Sequence, residues 1–251
     1  ITQSIMMSLF VAIALAYAVE SKNRWLTWLW IVVALLASVS ITHLSLGRTG
    51  TLTLLVSLSA AGVLLIPRRW TLLAVICLIG ILGLLLLSSE TMVGRWGLAL
   101  QELENWRENT ASSIGHRLFN YETALALMLE RPWWGHGTGA FHTEICRFVS
   151  PELNCGRFNW HPHNQFLFFG VDHGLIGIVL YVGLILSLFK AALDSSKKTP
   201  RVLLACLASI LLVNSMINSP LWSSIESQFF IFMMGLLVSM AWSHKAIDAR
   251  E

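Results

Sequence analysis

Seven long apolar stretches, separated by short polar connectors and one long polar loop, make up most of this 251-residue chain. Each stretch is close to the roughly 20 residues that an α-helix needs to cross the hydrocarbon core of a bilayer. Because hydrocarbon offers the backbone no hydrogen-bonding partner, we expect every stretch to be helical. The predicted spans are residues 3–19, 25–46, 50–66, 70–88, 165–189, 201–218 and 225–243.

The composition favours a membrane protein over a soluble one. Hydrophobic residues make up 55% of the chain and charged residues 12%, whereas a soluble domain carries about 25% charged residues. A soluble protein with this much apolar surface would aggregate. We therefore predict an all-α, polytopic membrane protein with four spans in residues 1–88, a polar loop over 89–164, and three spans with a short cytoplasmic tail in 165–251.

Lysine and arginine residues indicate how the chain crosses the membrane, because they concentrate in cytoplasmic connectors. All five lysines lie in alternate connectors or in the C-terminal tail, and we place these segments in the cytoplasm. The basic residues on that side are Lys22, Arg24, Arg68, Arg69, Lys190, Lys197, Lys198, Arg201, Lys245 and Arg250. The turn at 47–50 and the long loop then face the opposite side, which is periplasmic or extracellular.

Two of the four cysteines, Cys146 and Cys155, lie in the long loop. They are close enough in sequence to close a small ring, and the side predicted for the loop is an oxidising compartment. We therefore predict a disulfide between them. Two free thiols are the alternative, because connectivity cannot be proved from sequence.

A helix is predicted in the second half of the loop. Ser112 or Ser113 can cap its N-terminus, and Pro132 ends it. Apolar residues between them recur at helical spacing, which predicts one apolar face lying along the membrane surface or capping the bundle. That face comprises Ile114, Leu118, Tyr121, Leu125, Met128 and Leu129. The glycines that follow, at 135, 137 and 139, come after a helix rather than a strand, so they predict a tight turn and not a dinucleotide-binding loop.

The motif His161-Pro162-His163-Asn164 stands immediately before the fifth predicted span. Histidine is the side chain best suited to take a proton near neutral pH, so the motif is a candidate catalytic base at the outer mouth of a cavity. Two alternatives stay open. One is a structural pair of histidines, and the other is a zinc site, although nothing nearby has the spacing of further ligands.

Arg48 interrupts an otherwise apolar region between the second and third spans. An ionisable residue at the edge of the hydrocarbon is costly, so it suggests a functional site. The alternative is a side chain that extends to the lipid headgroups. The predicted topology places Arg48, Arg117 and His163 on the same face of the membrane, which favours a function.

Polar residues also occur within later spans. We expect Asp172, His173 and Glu226 to pack between helices, with lining of a cavity as the alternative. In a transporter, Arg48, Asp172 and Glu226 would line a pathway near the midplane of the membrane. The sequence instead gathers its polar groups at one mouth and lacks obvious paired broken helices.

Three short motifs stand in order along residues 40–190. Leu46-Gly47-Arg48-Thr49-Gly50 lies at a span boundary, Gly115-His116-Arg117-Leu118-Phe119-Asn120-Tyr121-Glu122 opens the loop helix, and His161-Pro162-His163-Asn164 closes the loop. Their order, spacing and common side resemble the O-antigen ligase and polymerase superfamily, and most closely the lipopolysaccharide O-antigen ligases. Members of that superfamily usually have more spans than these seven, so we expect the chain to be the C-terminal part of a longer protein.

The resemblance implies a metal-independent, inverting glycosyltransferase that needs no cofactor and lies in the bacterial inner membrane with its active site facing the periplasm. The donor would be a polysaccharide on undecaprenyl diphosphate, and the acceptor a sugar hydroxyl of lipid A–core. Membrane lipids are the other expected partner, and no nucleic acid is expected.

Residue roles follow from the same resemblance. Arg48 and Arg117 would bind the donor diphosphate, whose growing negative charge two guanidinium groups can stabilise without a metal. His163 would act as base on the acceptor hydroxyl. The residues expected to orient or surround these groups are His161, Asn164, Glu122 and Tyr121, with Glu122 positioning Arg117.

Several alternative functions stay open. An O-antigen polymerase or a protein O-oligosaccharyltransferase would share the motifs and differ in the acceptor. A lipid-linked glycan transporter belongs to another class. A purely structural subunit is a further alternative, and it predicts that His163 tolerates replacement.

Overall fold

The computed structural model describes residues 2–45, 47–149, 155–157 and 160–242, so Leu46, Lys245 and Arg250 of the sequence predictions lie outside the described residues. Within these ranges the chain forms helices and no β-strand, which confirms the all-α prediction. The α-helices are α1 (Thr2–Glu20), α2 (Arg24–Val39), α3 (Arg48–Leu65), α4 (Arg68–Leu87), α5 (Glu90–Glu104), α6 (Ser113–Glu130), α7 (Phe141–Glu144), α8 (Gln165–Asp194), α9 (Lys198–Ile217) and α10 (Ser224–Trp242).

Six helices in the described ranges are long and apolar enough to cross a membrane. They are α1, α2 with the π-helical turn Ser40–Leu44 that continues it, α3, α8, α9 and α10. Each coincides with a predicted span, and the remaining predicted span, residues 70–88, coincides with the 20-residue helix α4. The chain is therefore a multi-pass helical membrane protein.

The chain divides into two compact units, of which the first comprises Ile1–Val93, Ile185–Val213 and Ile225–Glu251. Small side chains let α1 and α3 approach closely, since a Cβ added to Gly50 would lie 2.3 Å from Cβ of Ser4. Membrane helices commonly use small residues in this way. The buried cluster around this contact contains Val11, Ala14, Ala34, Ala37, Ile41 and Leu54.

Polar contacts within the first unit show which helix ends lie together. The Thr2 hydroxyl donates a 2.7 Å hydrogen bond to Glu226 at the start of α10. The Thr199 hydroxyl, in the first turn of α9, donates to Glu20 at the end of α1. Because Gly50 packs on Ser4, the starts of α1, α3 and α10 lie at one end of this unit. The end of α1 and the start of α9 lie at the other.

The second unit comprises Gly94–Leu184 and Asn214–Ser224. Its core forms where α6, α7 and the first turns of α8 meet, around Ala124, Leu127, Phe141, Ile145, Val149 and Val171. The predicted loop helix is confirmed as α6. Ser112 caps it by accepting a 3.0 Å hydrogen bond from the N–H of Gly115, and it ends before Pro132.

The apolar face predicted for α6 is not the side that is most buried within this unit, and its contact with a membrane surface stays a prediction. Leu125 and Leu129 are exposed, whereas Ala124 and Leu127 are fully buried. The helix has apolar residues on more than one side, and the segment after Phe141 packs on the side of Ala124 and Leu127. Sequence analysis also missed α5, which lies in the segment that was interpreted as polar loop.

The fifth predicted span is a helix with a break, not the continuous helix that we expected. At Gly174 the backbone of α8 leaves helical geometry, with φ of 64° and ψ of −157°. A Cβ at this position would lie 2.4 Å from the carbonyl carbon of Trp133. The Leu175 N–H, freed by the break, donates a 2.7 Å hydrogen bond to the Pro132 carbonyl. The break therefore allows the loop after α6 to dock on the helix.

Candidate functional site

The His161-Pro162-His163-Asn164 motif forms the turn that leads into α8. Asn164 caps this helix, because its Oδ1 accepts hydrogen bonds from the N–H groups of Phe166 (2.9 Å) and Leu167 (3.1 Å). His163 has a φ of 55°, the one positive φ of a non-glycine residue in the described ranges. Such a conformation is costly for a residue with a Cβ atom, and it often marks a functional site.

Side chains from α6 hold the backbone of this turn. The Tyr121 hydroxyl donates a 3.0 Å hydrogen bond to the carbonyl of His163, and Nδ2 of Asn120 donates a 3.3 Å bond to the carbonyl of His161. Nδ2 of Asn164 donates to the carbonyl of Met216 at 3.2 Å. Tyr121 and Asn164 therefore position His163 through the backbone of the turn.

His161 packs between two aromatic rings, both tilted against its own ring. Its ring centroid lies 4.2 Å from that of His163 and 4.6 Å from that of Trp222. Its Nδ1 accepts a 3.1 Å hydrogen bond from the His163 N–H, so a neutral His161 carries its proton on Nε2. In the part of the chain that the structure describes, no three His, Cys, Asp or Glu side chains are placed to hold one metal ion.

Both histidines of the turn are neutral at physiological pH. Burial, together with the nearby His161, Arg117 and His116 side chains, lowers the pKa of His163 to about 3. Burial, with His116 and Arg117, lowers the pKa of His161 to about 4. A neutral imidazole has a lone pair and can accept a proton from a hydroxyl.

The first turns of α6 supply the remaining polar groups around His163. Positions 116, 117, 120 and 121 lie on one side of a helix, because residues four apart are neighbours. The His116 ring lies edge-on to the His163 ring, with 5.6 Å between centroids. Arg117 lies near enough to act electrostatically on His161, His163 and Tyr121. Burial raises the pKa of Tyr121, so its hydroxyl stays protonated as a donor.

Glu122 lies on the solvent side of α6. Its carboxylate is 3.9 Å from the guanidinium of Arg107, and both side chains are well exposed. The structure thus pairs Glu122 with Arg107, and the predicted role of Glu122 in positioning Arg117 stays a prediction. An exposed pair at this distance contributes little to stability.

Arg48 lies in the first unit and is the first residue of α3. Gly47 precedes it in extended conformation, and the Arg48 side chain is half-buried. This helix start lies at the same end of the first unit as Thr2, Ser4 and Glu226. Glu226 accepts the hydrogen bond from Thr2 there, so it is a packing residue between helix ends, as expected.

Asp172 joins the glycine-rich loop to α8. Its buried carboxylate accepts hydrogen bonds from the N–H groups of Gly139 (2.8 Å) and Phe141 (3.2 Å). Its carbonyl accepts a further bond from Gly137 at 2.9 Å. The loop glycines at positions 135, 137 and 139 have positive φ values of 69°, 108° and 81°, which agrees with the predicted tight turn. Asp172 therefore anchors this loop, a role that the sequence alone did not indicate.

An apolar groove of about 520 Å³ lies along α8 below this loop. Trp134, Phe169 and His173 line it near the break in α8, and Leu184 lines its other end. Leu221 also borders the groove, and it directly precedes the Trp222 that packs on His161. His173 thus lines a cavity, which was the alternative considered for it.

Cys146 and Cys155 are joined by a disulfide in the structure. Arg147, beside the first of them, forms ion pairs with Glu130 (2.7 Å) and Glu144 (2.9 Å). These contacts connect the end of α6 to the segment after α7.

The model of the O-antigen ligase family matches residues 33–182, more than half of the chain. The chain belongs to the O-antigen ligase family. It is thus a membrane enzyme of the ligase and polymerase superfamily, whose substrates are lipid-linked glycans. A search of curated proteins found no match. The matched residues include Arg48, Arg117 and the histidine turn at 161–164.

Within the second unit, the structure brings together His161, His163, Asn164, Arg117 and Tyr121 of the predicted site residues. His116 and Trp222 also contact the histidine turn, although sequence analysis did not predict them as site residues. His116 could have been predicted, because it lies one helical turn before Asn120 and so on the same face of α6. Trp222 could not have been predicted in this way, because it lies 61 positions after His161 in the sequence.

Proposed function

We propose that the protein transfers a polysaccharide from undecaprenyl diphosphate to a sugar hydroxyl of lipid A–core, at the periplasmic face of the bacterial inner membrane. The observation that carries this proposal is the neutral, half-buried His163 in a strained turn near Arg117. A neutral base near a guanidinium group suits a reaction in which a proton is removed and an anion leaves.

In the proposed reaction the acceptor oxygen bonds to the anomeric carbon of the donor sugar while the bond from that carbon to the diphosphate breaks. The hydroxyl proton passes to the imidazole of His163. The electron pair of the broken bond leaves with undecaprenyl diphosphate, and attack from the opposite side inverts the anomeric configuration. Proton transfer of this kind contributes roughly 10²–10⁴-fold to a rate.

Two arginines are proposed to bind the diphosphate. Arg117 supports this role by its position near His163 in the second unit. Arg48 is assigned to diphosphate binding by its sequence motif and by its position at the start of α3. This helix start lies at the end of the first unit away from Lys197 and Lys198. Guanidinium forks match phosphate oxygens and stay charged near lipid. The apolar groove along α8 suits the lipid chain of the donor.

Bound diphosphate also changes the base. Its negative charge favours the imidazolium form, so the pKa of His163 rises from its low value in the free protein. Binding of the donor therefore makes His163 a stronger base for removal of the proton from the acceptor hydroxyl.

The test is glycan transfer in vitro by a His163→Asn variant. Asparagine tolerates positive φ better than alanine, so this change removes the base without straining the turn. We expect transfer to fall by roughly 10²–10⁴-fold. His142→Asn is a matched control, because His142 is an exposed histidine of the same unit.

Transfer at the wild-type rate by His163→Asn would overturn the proposed base. The assay is run with two acceptors, lipid A–core and a lipid-linked glycan. Transfer to lipid A–core supports the ligase, and elongation of the lipid-linked glycan alone would assign a polymerase instead.

A further inference from the structure

A second cavity lies in the first unit, at the opposite end from Arg48. Its volume is about 450 Å³. The end of α1, the start of α9 and the end of α10 enclose it, through Tyr17, Glu20, Lys197, Lys198, Thr199 and Met240. The proposed glycosyl transfer makes no use of any of these side chains.

The charges around this cavity favour an anion. Lys197 and Lys198 are both exposed at its mouth. The one acidic lining residue in the described part of the chain is Glu20, whose carboxylate accepts the hydrogen bond of the Thr199 hydroxyl. Two other basic side chains of this region have partners of their own: Arg201 donates a 2.6 Å hydrogen bond to the Ser195 carbonyl, and Lys190 pairs with Asp194 at 2.8 Å. The two lysines therefore give the cavity a net positive charge.

The cavity also has an apolar side at the depth where spans end. Tyr17 is 45% exposed and stacks on Trp30, with 5.5 Å between ring centroids. Met240, two residues before the end of α10, is 37% exposed. Tyrosine and tryptophan are enriched at the level of lipid headgroups. A soluble anion would use the lysines only, whereas a phospholipid would use both sides of the cavity.

We propose that this cavity binds an anionic phospholipid, with the headgroup phosphate at Lys197 and Lys198 and the glycerol and upper acyl carbons against Tyr17 and Met240. Basic pockets between membrane helices on the cytoplasmic side bind anionic headgroups by the same chemistry. The bound lipid would bridge α1, α9 and α10. The site is independent of the proposed transfer reaction.

Native mass spectrometry of the purified protein tests this proposal. The protein is delipidated in detergent and incubated with an equimolar mixture of phosphatidylglycerol and phosphatidylcholine that carry the same acyl chains. We expect preferential retention of one phosphatidylglycerol. The double variant Lys197→Gln/Lys198→Gln should lose that preference, by about fivefold for each lysine.

Two controls accompany the double variant. Lys190→Gln removes one positive charge from an exposed lysine at the end of α8 and should leave the preference unchanged. Lys197→Arg/Lys198→Arg keeps both charges and should retain it, which separates loss of charge from loss of folding.

Three results would overturn the proposal. One is equal retention of the two lipids by the wild-type protein, and another is an unchanged preference in the double glutamine variant. The third is full displacement of the lipid by excess glycerol phosphate, which would show that the cavity takes a soluble phosphate.

Discussion

At the scale of single residues, the conformation and the charge of His163 are both set by its neighbours. Tyr121 holds its carbonyl, Asn164 starts the helix directly after it, and His161 packs on its ring. Burial and nearby Arg117 keep its imidazole neutral. The proposed base is thus held in one place and one protonation state before substrate arrives, which is the form of preorganisation that catalysis requires.

The pH dependence of transfer follows from this charge state. The value of kcat/KM reports the pKa values of the free enzyme. Because burial lowers the pKa of His163 to about 3, we expect kcat/KM to stay level between about pH 7 and about pH 5, where an ordinary histidine would become protonated. The value of kcat should fall at a higher pH than kcat/KM does, because bound diphosphate raises the pKa.

Rate profiles measured over this range, with the donor as the varied substrate, check the prediction. Loss of half of kcat/KM near the ordinary histidine pKa of about 6.5 would contradict it.

At the scale of elements, the glycine-rich loop and the broken helix α8 depend on each other. Asp172 accepts hydrogen bonds from the loop, and Gly174 leaves space for the Trp133 backbone. The first half of α8 carries the histidine turn at its start. We infer that docking of the loop fixes the direction of that half and so the position of His163.

Gly174→Ala tests this dependence. The combination of φ 64° and ψ −157° is open essentially to glycine alone, and an added Cβ would meet backbone atoms of the loop at 2.4 Å. We expect a loss of about 3 kcal/mol or more in stability, seen as a lower unfolding temperature in detergent.

Gly183→Ala is the matched control in the same helix. A Cβ at Gly183 has nothing within 4 Å, and alanine favours a helix over glycine by about 1 kcal/mol. Its unfolding temperature should therefore stay the same or rise. An equal effect of the two substitutions would contradict the structural role of the break.

At the scale of the whole molecule, the sequence predicted features that follow from local pattern. Spans could be located because hydrocarbon demands long apolar helices. The ends of α6 could be located because Ser112 and Pro132 act on adjacent residues. The break at Gly174 could not be predicted, since it depends on contact with a loop about 40 residues away. The same reason applies to Trp222 on His161 and to Asp172 beneath the glycine loop.

The proposed binding of one diphosphate by two arginines also concerns the whole molecule. Arg117 belongs to the second unit and Arg48 to the first, yet the proposed function requires both to bind one diphosphate. Residues that hold the same group are energetically coupled, by about 0.5–3 kcal/mol, whereas distant independent residues have additive effects.

A double-mutant cycle on donor affinity is therefore the most direct test. Binding of the undecaprenyl diphosphate-linked glycan is measured for Arg48→Gln, Arg117→Gln and the double variant, with Arg48 and the exposed Arg107 as the control pair. We predict a coupling of at least about 0.5 kcal/mol between Arg48 and Arg117 and none between Arg48 and Arg107. Effects of Arg48 and Arg117 that simply add would contradict a shared diphosphate site.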